Sequence, residues 1–243
     1  QKGGTGKTTT AHALGAGLTG RGYRVLFIDL DPQQNLTYIL RADPGAATSY
    51  EVLTGEATAA QAIQPGPGGD VITSSPSLAG ANLDVVEAGR EYRLREALEP
   101  IRGQYDFIVI DTPPSLGILT VTALTASDRV IIPAQADILS LQGIGQLYNT
   151  MRAVQLHANP RLKITGILLT RHSSRAILSR DLARVIANSA RELGTFVYSA
   201  AIREGIAIKE AQASQQDLFS YAARSNPAQD YLVFVEEFIE RTG

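Results

Sequence analysis

Two lysines, three glycines and two threonines fill Lys2-Gly3-Gly4-Thr5-Gly6-Lys7-Thr8, a run whose types and spacing suit the gripping of phosphate. A phosphate-binding loop reads G-x-x-x-x-G-K-[ST]: backbone N–H groups cradle the phosphate oxygens, the lysine reaches the β- and γ-phosphates, and the hydroxyl reaches Mg2+. Gly6, Lys7 and Thr8 satisfy the end of that pattern, and Gln1 stands where its first glycine belongs. Lys2 turns the loop into the variant K-G-G-x-G-K-T, with a second cation at its start. The plain alternative is a glycine-rich loop with two solvated lysines. The chain that follows decides against it.

A phosphate loop needs a helix to open onto and strands to hold carboxylates beside it. Thr9 to Thr19 predicts the helix, with Leu14 and Leu18 on one face and Ala11, Ala13, Gly15, Ala16 and Gly17 permitting close packing. Its free N–H groups and dipole point at the phosphates. Arg24 to Asp31 is a nearly continuous apolar run, suited to a strand buried on both faces, and it ends in Asp29 and Asp31. The carboxyl ends of parallel strands are where open α/β sheets bind ligands. A second such strand, Asp106 to Asp111, carries the Walker B pattern of four apolar residues and an aspartate, followed by Thr112-Pro113-Pro114. Asp111 is thereby placed to hold a water on Mg2+ beside Thr8.

These segments, with Asp29-Leu30-Asp31-Pro32-Gln33 and Asp111-Thr112-Pro113-Pro114-Ser115, resemble the deviant Walker A, switch I and switch II regions of the ParA/Soj partition ATPases, in the wider ParA/MinD group. The likeness extends to Ile164–Thr170, Ile202–Ala211 and Ser225–Ala228, and so over the whole chain. The resemblance implies a P-loop NTPase fold with ATP and Mg2+ as cofactors. Gly3, Gly4, Thr5, Gly6 and Thr9 would wrap the phosphates, with Lys7 on the β/γ-phosphates. Thr8, Asp31 and Asp111 would serve the metal, with Asp31 positioning the attacking water. Lys2 would reach across a homodimer to the partner's ATP, and Thr170 and Arg175 would line the nucleotide site. The family usually has Asp or Asn after Thr170, where Arg171-His172-Ser173-Ser174-Arg175 stands here, so the adenine contacts are not assigned.

Composition sets limits. At 243 residues and 44% hydrophobic, the chain suits one α/β domain spanning residues 1–243. With no cysteine there is no disulfide, no Cys-ligated zinc and no iron–sulfur cluster, which separates it from cluster-bearing P-loop proteins. No apolar strand precedes the loop, so the first strand is expected upstream of Gln1 and the sheet is expected to lose a central member without it. A leader or a DNA-binding extension there is left open. No run of about twenty apolar residues suggests a membrane span, and the cytoplasm, in association with the nucleoid, is the expected location.

The remaining pattern alternates strands and helices and specifies a doubly wound, mostly parallel sheet flanked by helices. Ala42 to Pro76 is the least regular stretch, with a short helix at Ser49 to Leu53 and a strand at Asp70 to Thr73. Helices are expected over Tyr92 to Ile101, Leu116 to Thr125, Ser140 to Gln155 and Ala176 to Leu193, and strands over Arg129 to Pro133 and Lys163 to Thr170. Net charge is only −2, yet residues 151–210 hold ten Lys/Arg against four Asp/Glu. Arg180, Arg184 and Arg191 share a helix face opposite Ile177, Leu178, Leu182, Val185 and Ile186, with Arg203 and Lys209 expected on the next helical stretch. Such a stripe is ordinarily a solvated face. Here it lacks acidic partners, and the resemblance implies non-specific DNA binding through Arg180, Arg184, Arg203 and Lys209, with a ParB-like centromere-binding protein stimulating hydrolysis. The competing reading is a MinD-like membrane-cycling ATPase, which needs a basic amphipathic C-terminal helix. Gln229 to Arg241 instead carries Asp230, Glu236, Glu237 and Glu240 against Arg241 alone. His12, His157 and His172 have no ligand spacing and are read as structural or surface residues.

Overall fold

The computed structural model describes residues 4–45, 47–80, 89–172 and 177–242. The chain begins with α1 (Lys7–Thr19), β1 (Val25–Asp29) and the short α2 (Asn35–Ile39), α3 (Ser49–Thr54) and α4 (Ala59–Ala62). A hairpin of β2 (Ile63–Gly66) and β3 (Gly69–Ile72) leads to α5 (Arg93–Leu98), β4 (Phe107–Asp111), α6 (Ile118–Ala126), β5 (Arg129–Ala134) and α7 (Ile138–His157). Then come β6 (Lys163–His172), α8 (Ile177–Glu192), β7 (Val197–Arg203), α9 (Ile206–Ala213), α10 (Leu218–Ala222) and α11 (Asn226–Thr242).

The strands form two sheets, in the orders β2-β3-β1-β4 and β5-β6-β7. Every pairing is parallel except the β2–β3 hairpin. Successive side chains of a strand point to opposite faces, and β1 uses both. Val25 and Phe27 enter a cluster with Leu14 and Leu18 of α1 and Tyr231 of α11. Leu26 and Ile28 enter another with Val52 of α3 and Leu94 of α5. A strand so covered has to be apolar throughout, and all five residues of β1 are buried. The sheet is therefore parallel, with helices on both faces, as the alternating pattern predicts.

Between β4 and β5, which do not pair with each other, lies a cavity of about 530 Å3 lined by Val109 and Asp111 on one side, Val130 and Ile132 on the other, and Leu14 of α1. Phe107 to Ile110 remain only half-buried there.

Other boundaries differ from expectation for local reasons. The first helix starts at Lys7, because Gly6 takes the left-handed φ of 89° that caps it. The segment Tyr92 to Ile101 shortens to α5 behind a 3-10 turn at Arg90–Tyr92. The strand β7 was not anticipated, and Arg203 is its last residue rather than part of a helix. Val185, assigned to the buried face of α8, is 41% exposed, while Ile186 and Ala190 are buried.

The glycines of α1 behave as the close-packing pattern requires. A Cβ on Gly15 would meet the ring of Phe27 at 2.2 Å, and one on Gly17 would meet Val235 at 2.8 Å. Phe27 is fully buried and has nowhere to move. Gly145 in α7 faces open space. Replacing a glycine by alanine in an unobstructed helix stabilises by about 1 kcal/mol, whereas overpacking a core costs about 1–3 kcal/mol. Urea denaturation should therefore show Gly145→Ala stabilised and Gly15→Ala destabilised; equal effects of the two substitutions would contradict the packing described.

Candidate functional site

The loop is suspended between the two sheets. Gly4 and Gly6 adopt φ of 87° and 89°, a region glycine enters without cost. The second sheet holds the loop by two hydrogen bonds. Thr170 at the end of β6 donates its hydroxyl to the Thr5 carbonyl (2.8 Å), and Gln135, just past β5, donates its side-chain amide to the Gly4 carbonyl (2.9 Å). With the carbonyls turned outward, the loop amides and the N-terminus of α1 are left for an anion. No side chain caps that helix, and no acid occupies its first turn. Thr170 was expected at the nucleotide site, where its role here is to position the loop. Gln135 was missed by sequence reasoning, and its only signal was its place at the carboxyl end of a parallel strand.

The first sheet supplies the carboxylates. Asp111 ends β4 and is 2% exposed. One of its oxygens accepts from the Thr112 N–H (3.1 Å), and the other is buried without a partner among the described residues. Burial drives its pKa up to about 7; nearby Asp29 and Asp31 add to the rise, and the Thr8 side chain and Lys7 oppose it. Lys7 is itself shifted down by burial, an effect its neighbours Asp111 and Asp31 counter. A buried polar atom left unpartnered is costly, and a cation carrying ordered water is a fitting partner for this one. Among the described residues no group of three His, Asp or Glu side chains is arranged to hold a metal alone. Thr8 and Asp111 offer a hydroxyl and a carboxylate side by side, a donor pair that fits Mg2+, which keeps several waters and relies on phosphate oxygens and one or two protein ligands.

Asp29 and Asp31 divide their work. Asp29 is fully buried and accepts from the Asp31 N–H (3.0 Å), the Thr37 N–H (2.8 Å) and the Thr37 hydroxyl (2.8 Å). It was expected beside the phosphates; instead its oxygens are spent on holding the loop after β1. Ser74 closes that loop by donating to the Asp31 carbonyl (2.7 Å). Asp31 keeps one oxygen on the Gln33 N–H (3.0 Å) and lies near enough to influence both Lys7 and Asp111.

Lys2, Gly3 and Arg175 lie outside the described residues, as does the side chain of Arg180. Thr9 receives a hydrogen bond from Gln212 of α9 (2.9 Å), so its hydroxyl ties two helices together beside the loop. Arg184 and Lys209 are exposed. Arg203 is not free: it donates from Nε to Asp230 at 2.9 Å and from Nη2 to the same carboxylate at 2.6 Å. The histidines do not gather. His12 is buried against Phe27 with its pKa pushed down to about 4 by burial, and His172 approaches Ser179.

An AAA-domain family profile matches residues 1–164. The chain is 41% identical to the sporulation initiation inhibitor protein Soj of Bacillus subtilis, over 98% of this chain and 94% of that protein. It is 40% identical to the chromosome partitioning protein ParA of Caulobacter vibrioides, over 99% of this chain and 92% of that one. The chain belongs to the ParA/Soj family of partition ATPases. Among solved structures, a cobyrinic acid a,c-diamide synthase from Mycobacterium smegmatis with bound ADP and magnesium matches with a TM-score of 0.78 and 37% identity, over 97% of this chain and 89% of that one. A ParA/Soj chain is thus a P-loop NTPase by family.

The raised pKa of Asp111 has a thermodynamic consequence for the nucleotide-free protein. Between about pH 4 and pH 7 the folded state holds a proton that the unfolded state has lost, so this group's contribution to stability falls as pH rises through that window. Asp111→Asn, which cannot ionise, should therefore stabilise the free protein at pH 8 by up to about 4 kcal/mol and little at pH 4. Urea titrations at the two pH values measure this; a pH-independent difference would refute the buried-carboxylate account.

Proposed function

We propose that this protein is a Mg2+-dependent partition ATPase that binds ATP as a sandwich dimer, binds DNA without sequence preference in that state, and hydrolyses ATP under stimulation by a ParB-like centromere-binding protein. The observation that carries the reading is the Asp111 oxygen beside Lys7 and Thr8 at the mouth of the loop, buried and without a partner among the described residues. Mg2+ supplies charge neutralisation on the phosphate chain. Lys7 binds the β/γ-phosphates, Thr8 and Asp111 hold the metal's coordination shell, and Asp31 orients the attacking water. Gly3 to Thr9 wrap the phosphates, Lys2 reaches the partner subunit's nucleotide, and Arg175 serves the nucleotide or the dimer contact. The whole chain acts as one ATPase domain, working in the cytoplasm on the nucleoid.

The α11 helix speaks against membrane cycling. Tyr231, Phe234, Val235 and Phe238, its apolar stripe, are buried in one cluster with α1 and with Tyr198, Ala200 and Ile202 of β7, so that face is spent on the core. Among the described residues no helix is long and apolar enough to cross a membrane. A metabolic synthase, as the Mycobacterium smegmatis neighbour is named, gives no task to an exposed basic helix.

Two measurements test the reading. Lys7→Ala should lower ATP affinity by about two orders of magnitude, because it removes a partly buried charge partner. Asp31→Ala should keep ATP affinity and lose about 100-fold or more in turnover. Wild-type turnover in Asp31→Ala would refute its role.

For DNA, Arg184, Arg180 and Lys209 form the proposed contact. Arg203 is the weaker member, since phosphate must compete there with Asp230. Each lost phosphate contact lowers the log–log salt slope by roughly 0.9, and a dimer loses two. Arg184→Glu should flatten the salt dependence of DNA binding in the presence of ATP while nucleotide affinity is unchanged. An unaltered slope would make α8 an ordinary solvated face.

A further inference from the structure

The nucleobase end of the site has no assigned residue, and the geometry points to Arg171 as its stacking platform: we propose that the Arg171 guanidinium packs on the face of a bound purine. This rests on the nucleotide-binding reading above. Lys7, Thr8, Asp31 and Asp111 place the metal and terminal-phosphate end of a nucleotide at the ends of β1 and β4. The loop is fastened on its opposite side, to β5 and β6, by Gln135 and Thr170. A triphosphate lying along the loop amides therefore leads its sugar and base out over the ends of β6 and β7.

Arg171 stands at that exit. It follows Thr170 directly, and its Nη1 lies 3.8 Å from the position a Cβ would take on Gly4, so the guanidinium sits at the rim of the loop itself. It is exposed and forms no hydrogen bond or ion pair among the described residues, unlike Arg203, Arg21 and Arg24. Its φ of 49° is a left-handed value that a long side chain seldom adopts, and such outliers are held in place at binding sites more often than elsewhere. Across the rim, His172 is in register with Arg203 at the end of β7, which sets the following segment beside Arg171. That segment brings Ile206, a large apolar side chain left 66% exposed at the start of α9. A planar cation and an uncovered apolar side chain on neighbouring strand ends suit a flat aromatic ring, which gains from cation–π contact on one face and from apolar burial at its edge.

The test compares ligands that share the phosphates and differ in the base. Affinities of ATP, GTP and ribose 5-triphosphate are measured with Mg2+ for wild type, Arg171→Ala and Arg171→Gly; glycine relieves the left-handed backbone and controls for strain. Stacking predicts a loss of about tenfold for ATP and GTP and none for the base-free ligand. The fluorescence of 2-aminopurine riboside triphosphate should be quenched on binding wild type and less so on binding either variant. Arg171→Lys, which keeps the charge without the plane, should recover only part of the affinity. An equal loss for all three ligands would make Arg171 a phosphate ligand, and no loss for any would make it a bystander; either overturns the proposal and leaves the nucleotide site standing. Failure of wild type to bind any triphosphate would instead remove the underlying reading as well.

Discussion

Asp111 keeps one carboxylate oxygen buried and, among the described residues, unpartnered at the end of β4, within the electrostatic reach of the Lys7 amine, itself partly stripped of water. Each group shifts toward neutrality through burial, and each partly stabilises the other's charge. Neither arrangement is comfortable without a third charge, because two nearby aspartates push Asp111 further toward protonation. Much of the surrounding structure keeps this tension from relaxing. Asp29 is pinned by three hydrogen bonds and so cannot rotate out. The Leu30 N–H donates to the Asp111 carbonyl at 3.0 Å, tying the ends of β1 and β4 together. A site that holds its donors in place before the ligand arrives spends less of the binding energy on reorganisation.

The helix that carries Lys7 is held with matching strictness. Gly15 and Gly17 let α1 settle against Phe27 and Val235 at distances no side chain permits. The Thr10 and Tyr231 hydroxyls lie 3.1 Å apart in a buried contact, which fixes the helix's rotation as well as its depth. The terminal helix α11 thus serves the phosphate loop from the far end of the chain: it sets where the first turn of α1 points. Positioning of this kind comes from packing density rather than from any contact with ligand.

Much of this was legible in the sequence, because the loop, the two aspartate-ended strands and the small residues of α1 each announce themselves through strong local rules. What escaped was whatever depended on partners remote in sequence. Tyr198-Ser199-Ala200-Ala201 has weak strand propensity, and β7 forms because β6 offers it an edge and α11 covers it. Asp29 and Asp31 look alike as letters two apart, yet strand alternation and Thr37 turn one into a brace and leave the other toward Lys7. The hooks from Thr170 and Gln135 to the loop cross more than 130 residues. Val185 fits a helical apolar stripe by spacing and is left outside because the face of α8 that meets the sheet is narrower than that stripe.

Charge shows the same difference between counting and pairing. By segment the chain divides into a basic stretch at residues 151–210 and an acidic remainder, which suggests two opposed surfaces. In the fold much of that contrast is consumed internally. Asp230 takes Arg203, Glu236 takes Arg21, and Glu237 accepts from Ser199, the Ala200 N–H and Arg241. Asp230, Glu236 and Glu237 of α11 thus act as clasps between that helix and its neighbours. Among the described residues Arg184 on α8 and Arg171 at the loop rim are exposed cations with no acidic partner, so their field reaches solvent. Where most charges are paired, the potential at the surface follows the unpaired groups and not the sum of the charges.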